Sequence, residues 1–80
     1  MTKIQLFDRG TPEGKKLWER LERVCQRLQI EYSPELTNKM EKVYQLGIQG
    51  KTVLMVNNEV VAVDQYPEES ELFTIISDYL

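Results

Sequence analysis

The sequence predicts an α/β domain, a four-stranded mixed sheet flanked by three helices in the order βαβαββα. Three features carry that prediction. A helix-start signal at Thr11-Pro12-Glu13 precedes apolar residues at helical spacing, and two β-branched runs flank Asn57-Asn58. A last amphipathic stretch follows Tyr66-Pro67. With 80 residues, 41% of them apolar, the chain reads as one domain spanning 1–80, because two cores need a longer chain.

Lys3 to Phe7 alternates and then turns apolar, as a strand whose end dips into a core would. Asp8 to Gly14 breaks it. Thr11 is a good N-cap, Pro12 has the φ of the first helical position, and Glu13 complements the helix dipole. Leu17, Leu21, Val24, Cys25 and Leu28 then span about a third of the helix circumference, which marks the buried face. Ile30-Glu31-Tyr32 is the predicted second strand, stopped by Ser33-Pro34 and placed at a sheet edge. Asn38 and Glu41 have capping-box spacing ahead of Met40, Val43 and Tyr44. They predict a helix of about two turns that stops at Gly47. Thr52 to Val56 and Glu59 to Val63 should pair antiparallel across Asn57-Asn58, two residues that tolerate positive φ. Leu72, Phe73, Ile75, Ile76, Tyr79 and Leu80 form the apolar face of the last helix, with Glu68, Glu69 and Glu71 in its first turn. The acidic set Asp64, Glu68, Glu69 and Glu71 lacks the ligand alternation of a calcium loop and is expected to decorate that helix start.

Composition removes several classes of chemistry. The chain has no histidine, hence neither the usual general base nor the commonest zinc ligand. One cysteine excludes an internal disulfide and any Cys-x-x-Cys pair. No cofactor, metal or catalytic residue is therefore expected. The longest apolar runs, Val53 to Val56 and Val60 to Val63, fall short of a membrane span, and a cytoplasmic address is the expectation. All 10 Lys and Arg residues lie between Lys3 and Lys51, whereas Glu59 to Leu80 carries only acids. The net charge of −3 disfavours general nucleic-acid binding.

The order and spacing resemble the small single-domain thioredoxin-like proteins of glutaredoxin size, sometimes called the redox-active disulfide family, over essentially the whole chain. In that family the first strand leads into Cys-x-x-Cys at a helix start; here Thr11-Pro12-Glu13-Gly14 stands there. The frame Gly47-Ile48-Gln49-Gly50-Lys51-Thr52-Val53-Leu54-Met55-Val56-Asn57-Asn58-Glu59-Val60-Val61 matches without a gap. Thr52 occupies the place of a cis proline. Tyr66 to Leu72 resembles the family's approach to its last helix. The resemblance implies a thioredoxin-like fold whose active-site motif is degenerate.

A threonine hydroxyl stays protonated near neutrality and forms no mixed disulfide, and Gly14 offers no resolving thiol. Without proline, Lys51-Thr52 is expected to be trans, since a non-proline cis bond costs roughly 2.5 to 4 kcal/mol. The leading expectation is a redox-inactive module that binds a protein or peptide at Thr11, Pro12, Glu13, Gly14, Lys51 and Thr52. For Thr11 itself the plainer role is helix capping, against holding an anion on nearby amides. Cys25, the candidate for a single-thiol oxidoreductase, lies on the buried stripe, where an inert core cysteine is favoured. Trp18 borders that stripe, as its flank in the favoured reading or as a partly exposed binding aromatic in the other. Lys16, Arg20, Arg23 and Arg27 fall within about 60° on the first helix. That basic stripe is either a solvated face or an adaptor surface for an acidic protein or RNA. The outer strand Val60-Val61-Ala62-Val63 has nothing to block pairing, so a homodimer through that edge is a further expectation.

Overall fold

The computed structural model describes residues 2–30 and 34–80. Its elements are β1 (Ile4–Asp8), α1 (Pro12–Arg27), β2 (Glu35–Thr37), α2 (Glu41–Gln45), β3 (Thr52–Val56), β4 (Glu59–Val63) and α3 (Glu69–Ser77). The four strands form one mixed sheet in the order β2-β1-β3-β4. β1 runs parallel to β2 and antiparallel to β3, with Leu6 opposite Leu54, and β4 returns antiparallel to β3. No helix among the described residues is long and apolar enough to cross a membrane.

Strand alternation divides the core between the two faces of the sheet. Ile4, Leu6, Leu54, Val56 and Ala62 meet Leu17, Leu21, Val24 and Cys25 of α1 and Leu72 and Ile76 of α3. On the other face Phe7, Val53 and Met55 meet Met40 and Val43. The α1 stripe is therefore the buried face expected of it, with Trp18 half-buried at its flank. β3 and β4 have the predicted bounds, and Asn57 and Asn58 take φ of 51° and 66°, as a two-residue hairpin turn demands. Met55 pairs with Val60 but Leu54 with Ala62, so Val61 is the extra residue of a bulge.

Three expectations need correction. The second strand is Glu35–Thr37, after Pro34 instead of before it. Glu31 and Tyr32 lie outside the described residues. Ile30 belongs to the end of α1: Gln29 takes φ 52° and the Ile30 amide donates to the Cys25 carbonyl at 3.1 Å, satisfying a helix-terminal acceptor. Proline suits the approach to an edge strand, because it has no N–H to leave unpaired. α2 is five residues long, and Met40, not Asn38, stands at its N-cap without a side-chain bond. Burial of Met40 and Val43 anchors this helix in place of capping. Gly47 does follow its end at φ 79°, the left-handed conformation glycine supplies cheaply. α3 ends at Ser77, short of Tyr79 and Leu80, and carries no basic residue in its last turn to favour extension.

A carboxylate clasp and a cleft at the start of the first helix

Asp8 is the last residue of β1 and is 5% exposed. A buried carboxylate requires donors, and the local sequence supplies them. Aspartate two residues before glycine forms a tight side-chain turn, so its Oδ2 accepts from the amides of Gly10 at 2.9 Å and Thr11 at 2.8 Å. Its Oδ1 accepts from Thr11 Oγ1 at 2.8 Å and from Thr52 Oγ1 at 2.6 Å. Thr52, at the start of β3, also meets the Tyr66 hydroxyl at 3.1 Å. Burial pushes the Asp8 carboxyl up, but the bonds from Thr52, Thr11 and Gly10 outweigh it and hold the group below its ordinary value. One carboxylate thus joins the end of β1, the start of α1 and the start of β3.

Thr11 caps α1: its Oγ1 accepts from the Gly14 amide at 3.0 Å while donating to Asp8. The reading in which Thr11 and neighbouring amides hold an external anion meets an internal one, because the chain's own carboxylate takes the Gly10 and Thr11 amides. Behind it, Asp64 Oδ1 accepts from the amides of Lys51 and Thr52 at 2.8 and 2.9 Å. Asp64 therefore fixes the start of β3, not the start of α3 as its sequence grouping suggested. No cis peptide occurs among the described residues, so Lys51-Thr52 is trans.

Beside the clasp opens a cleft of about 730 Å³ lined by Asp8, Gly10, Thr11, Pro12, Lys15, Leu36, Thr37 and Asn38. A smaller hollow of about 430 Å³ adjoins it at Asn38, where the Arg9 guanidinium lies 5.6 Å from the centre of the Tyr44 ring. Of the residues singled out from sequence, Thr11 and Pro12 line the cleft. Glu13 and Lys51 are exposed outside it, and Gly14 and Thr52 are buried behind Asp8. The open surface thus faces β2, away from Lys51-Thr52. Sequence reading missed Asp8, Gly10, Lys15, Leu36, Thr37 and Asn38. The Asp-x-Gly turn ahead of an N-cap threonine was the available signal for Asp8; the misplaced β2 hid Leu36 to Asn38.

The basic stripe is largely spent within the chain. Arg20 donates to the carbonyls of Tyr66 and Pro67, both at 3.3 Å, and lies 3.8 Å from the Glu68 carboxylate. Arg23 and Arg27 both reach Glu69, at 2.6 and 3.3 Å, and Arg27 also stacks 4.7 Å from the Phe73 ring centre. The hydrogen bond from Arg23 is the chief cause holding the Glu69 carboxyl below its usual value. Lys16 remains exposed, without a carboxylate partner among the described residues.

Cys25 is buried, and burial, aided by Glu22, pushes its thiol up to about 11. Modification of the native protein by a disulfide reagent at pH 8 should proceed on the order of a hundredfold more slowly than that of the urea-unfolded chain, from the thiolate fraction alone. Equal rates in the two states would show that the thiol is accessible. Among the described residues no three acidic or cysteine side chains converge as a metal site would require.

The chain matches no family model, no curated protein and no solved structure.

Proposed function

We propose that the chain is a thioredoxin-like domain, cytoplasmic and without disulfide chemistry, that binds an extended protein or peptide segment in the cleft beside α1. The Asp8 clasp is the observation that supports this reading. At the helix start, where a thiol would be activated by free amides and the dipole, the chain places a carboxylate saturated by four donors. The sulfur the chain does possess is buried near the other end of α1, on the core stripe. What is left for recognition is shape and polarity. The cleft combines Leu36, 49% exposed, with the polar rim of Lys15, Thr37 and Asn38.

Two measurements test the reading. In an insulin disulfide-reduction assay driven by dithiothreitol, the native protein should run no faster than a Cys25→Ser variant; a clear excess over that variant would end the redox-inactive reading. In a nitrogen-15 NMR titration with a panel of extended peptides, binders should shift the amides of Gly10, Thr11, Lys15 and Leu36 to Asn38. Binding that instead moved only the outer face of α1 around Lys16 would return the choice to the adaptor reading.

A further inference from the structure

We propose that Asp8 is an intramolecular block: its carboxylate holds the space any side chain at position 14 would need. Dithiol chemistry at the start of α1 is then barred by residue 8 and not only by the identities of residues 11 and 14. The inference rests on the redox-inactive reading above, and it is carried by a steric fact.

Gly14 is the third residue of α1, a helical position with no positive φ to demand glycine. In such a place alanine is the better helix former. A Cβ built there, however, falls on the Asp8 carboxylate, well inside van der Waals contact with its carbon and both oxygens. A side-chain end can often swing away from such a clash. This one cannot do so cheaply, because its two oxygens are held by two amides on one side and two threonine hydroxyls on the other. It is also 5% exposed, so giving up those donors would leave a largely buried charge short of partners. Asp8, Thr11, Gly14 and Thr52 therefore form one interdependent set. Thr11 and Thr52 each donate a hydroxyl to the carboxylate, and Gly14 leaves free the space that the carboxylate fills. The residues at this helix start form a site built around an acid.

A double-mutant cycle on thermal stability separates the block from an ordinary glycine preference. In the native background Gly14→Ala should lower Tm, by roughly 10 °C. In an Asp8→Ala background the same change should raise Tm by a few degrees, since only helix propensity is left. If Asp8→Ala does not fold, Asp8→Ser, which removes the carboxylate but keeps a hydroxyl toward Thr52, serves as the background. Equal losses from Gly14→Ala in both backgrounds would overturn the block. A chemical measurement reads the same contact. In chains carrying Cys25→Ser, Thr11→Cys and Gly14→Cys, oxidised glutathione can take two electrons from the introduced dithiol, leaving one protein disulfide and two molecules of glutathione. With Asp8→Ser added, that disulfide should form at a ratio of oxidised to reduced glutathione at least tenfold lower; formation at the same ratio with Asp8 in place would refute the proposal. The stability cycle contains no redox readout, so its failure leaves the insulin result standing, and the reverse holds too.

Discussion

Asp8→Asn should destabilise the fold by about 2–3 kcal/mol at neutral pH and lessen the protein's acid sensitivity. The amide is nearly the size of the carboxylate, so the cavity is not at issue. It carries no charge, and where Oδ1 or Oδ2 stood it presents an N–H₂ group to donors that then have no acceptor. Hydrogen bonds to a charged acceptor are each worth roughly 1.5–3 kcal/mol, and neighbouring ones do not add. The pH dependence has a definite sign. The folded carboxyl lies below the value of 3.8 typical of an exposed aspartate. Its stabilisation is therefore complete at pH above that value and is lost as pH falls through the lower, folded one. Urea midpoints measured from pH 7 to pH 2 should be flat and then drop in the native chain. In Asp8→Asn they should start lower and drop less. Glu69, also held low, titrates with the same sign in both proteins, so the difference between the two curves isolates Asp8. Parallel curves would remove Asp8 from the proton linkage.

The second large effect belongs to the α1 face of the core. Leu21→Ala should cost about 2–5 kcal/mol, the range for deleting a fully buried leucine side chain. Leu21 is 0% exposed and sits in the middle of α1, within the cluster that joins the sheet to α1 and α3. A chain of 80 residues is expected to have only about 4–12 kcal/mol in total. A large share of the stability is thus at stake in one residue, and chemical denaturation should show a large fall in the midpoint with little change in slope. Cys25→Ser, on the same stripe but at its margin, tests a different loss, since it places a hydroxyl among apolar neighbours. A Leu21→Ala midpoint within experimental error of the native one would mean that α1 is held by something other than this stripe.

The two effects differ in how far the sequence announced them. Leu21 was readable because periodic burial is a local pattern: five apolar residues at helical spacing behind a Thr-Pro-Glu start leave one face to bury. The β3–β4 hairpin was readable for a similar reason, with both strands and the turn chemistry contained in one short stretch. Asp8 was only half readable: its turn onto Gly10 and Thr11 is local, but its bond from Thr52 spans 44 residues of chain and is made by strand pairing. β2 failed on competition between local signals. Ile30 looks like strand, yet its amide is claimed by the end of α1, and the residues that pair with Gln5 to Phe7 are the less apolar Glu35, Leu36 and Thr37. Such a strand is recruited by an available edge more than by its own propensity. The cleft inherited that error, since three of its lining residues follow directly from where β2 ends.

Arg20 has a reach that its ion pair with Glu68 conceals. By gripping the carbonyls of Tyr66 and Pro67, its guanidinium sets where the Tyr66 phenol hangs, and that phenol buttresses Thr52 against Asp8. The half-buried arginine on the first helix and the buried acid at the end of the first strand are thus opposite ends of one hydrogen-bonded chain, with the run-up to the last helix as its middle member.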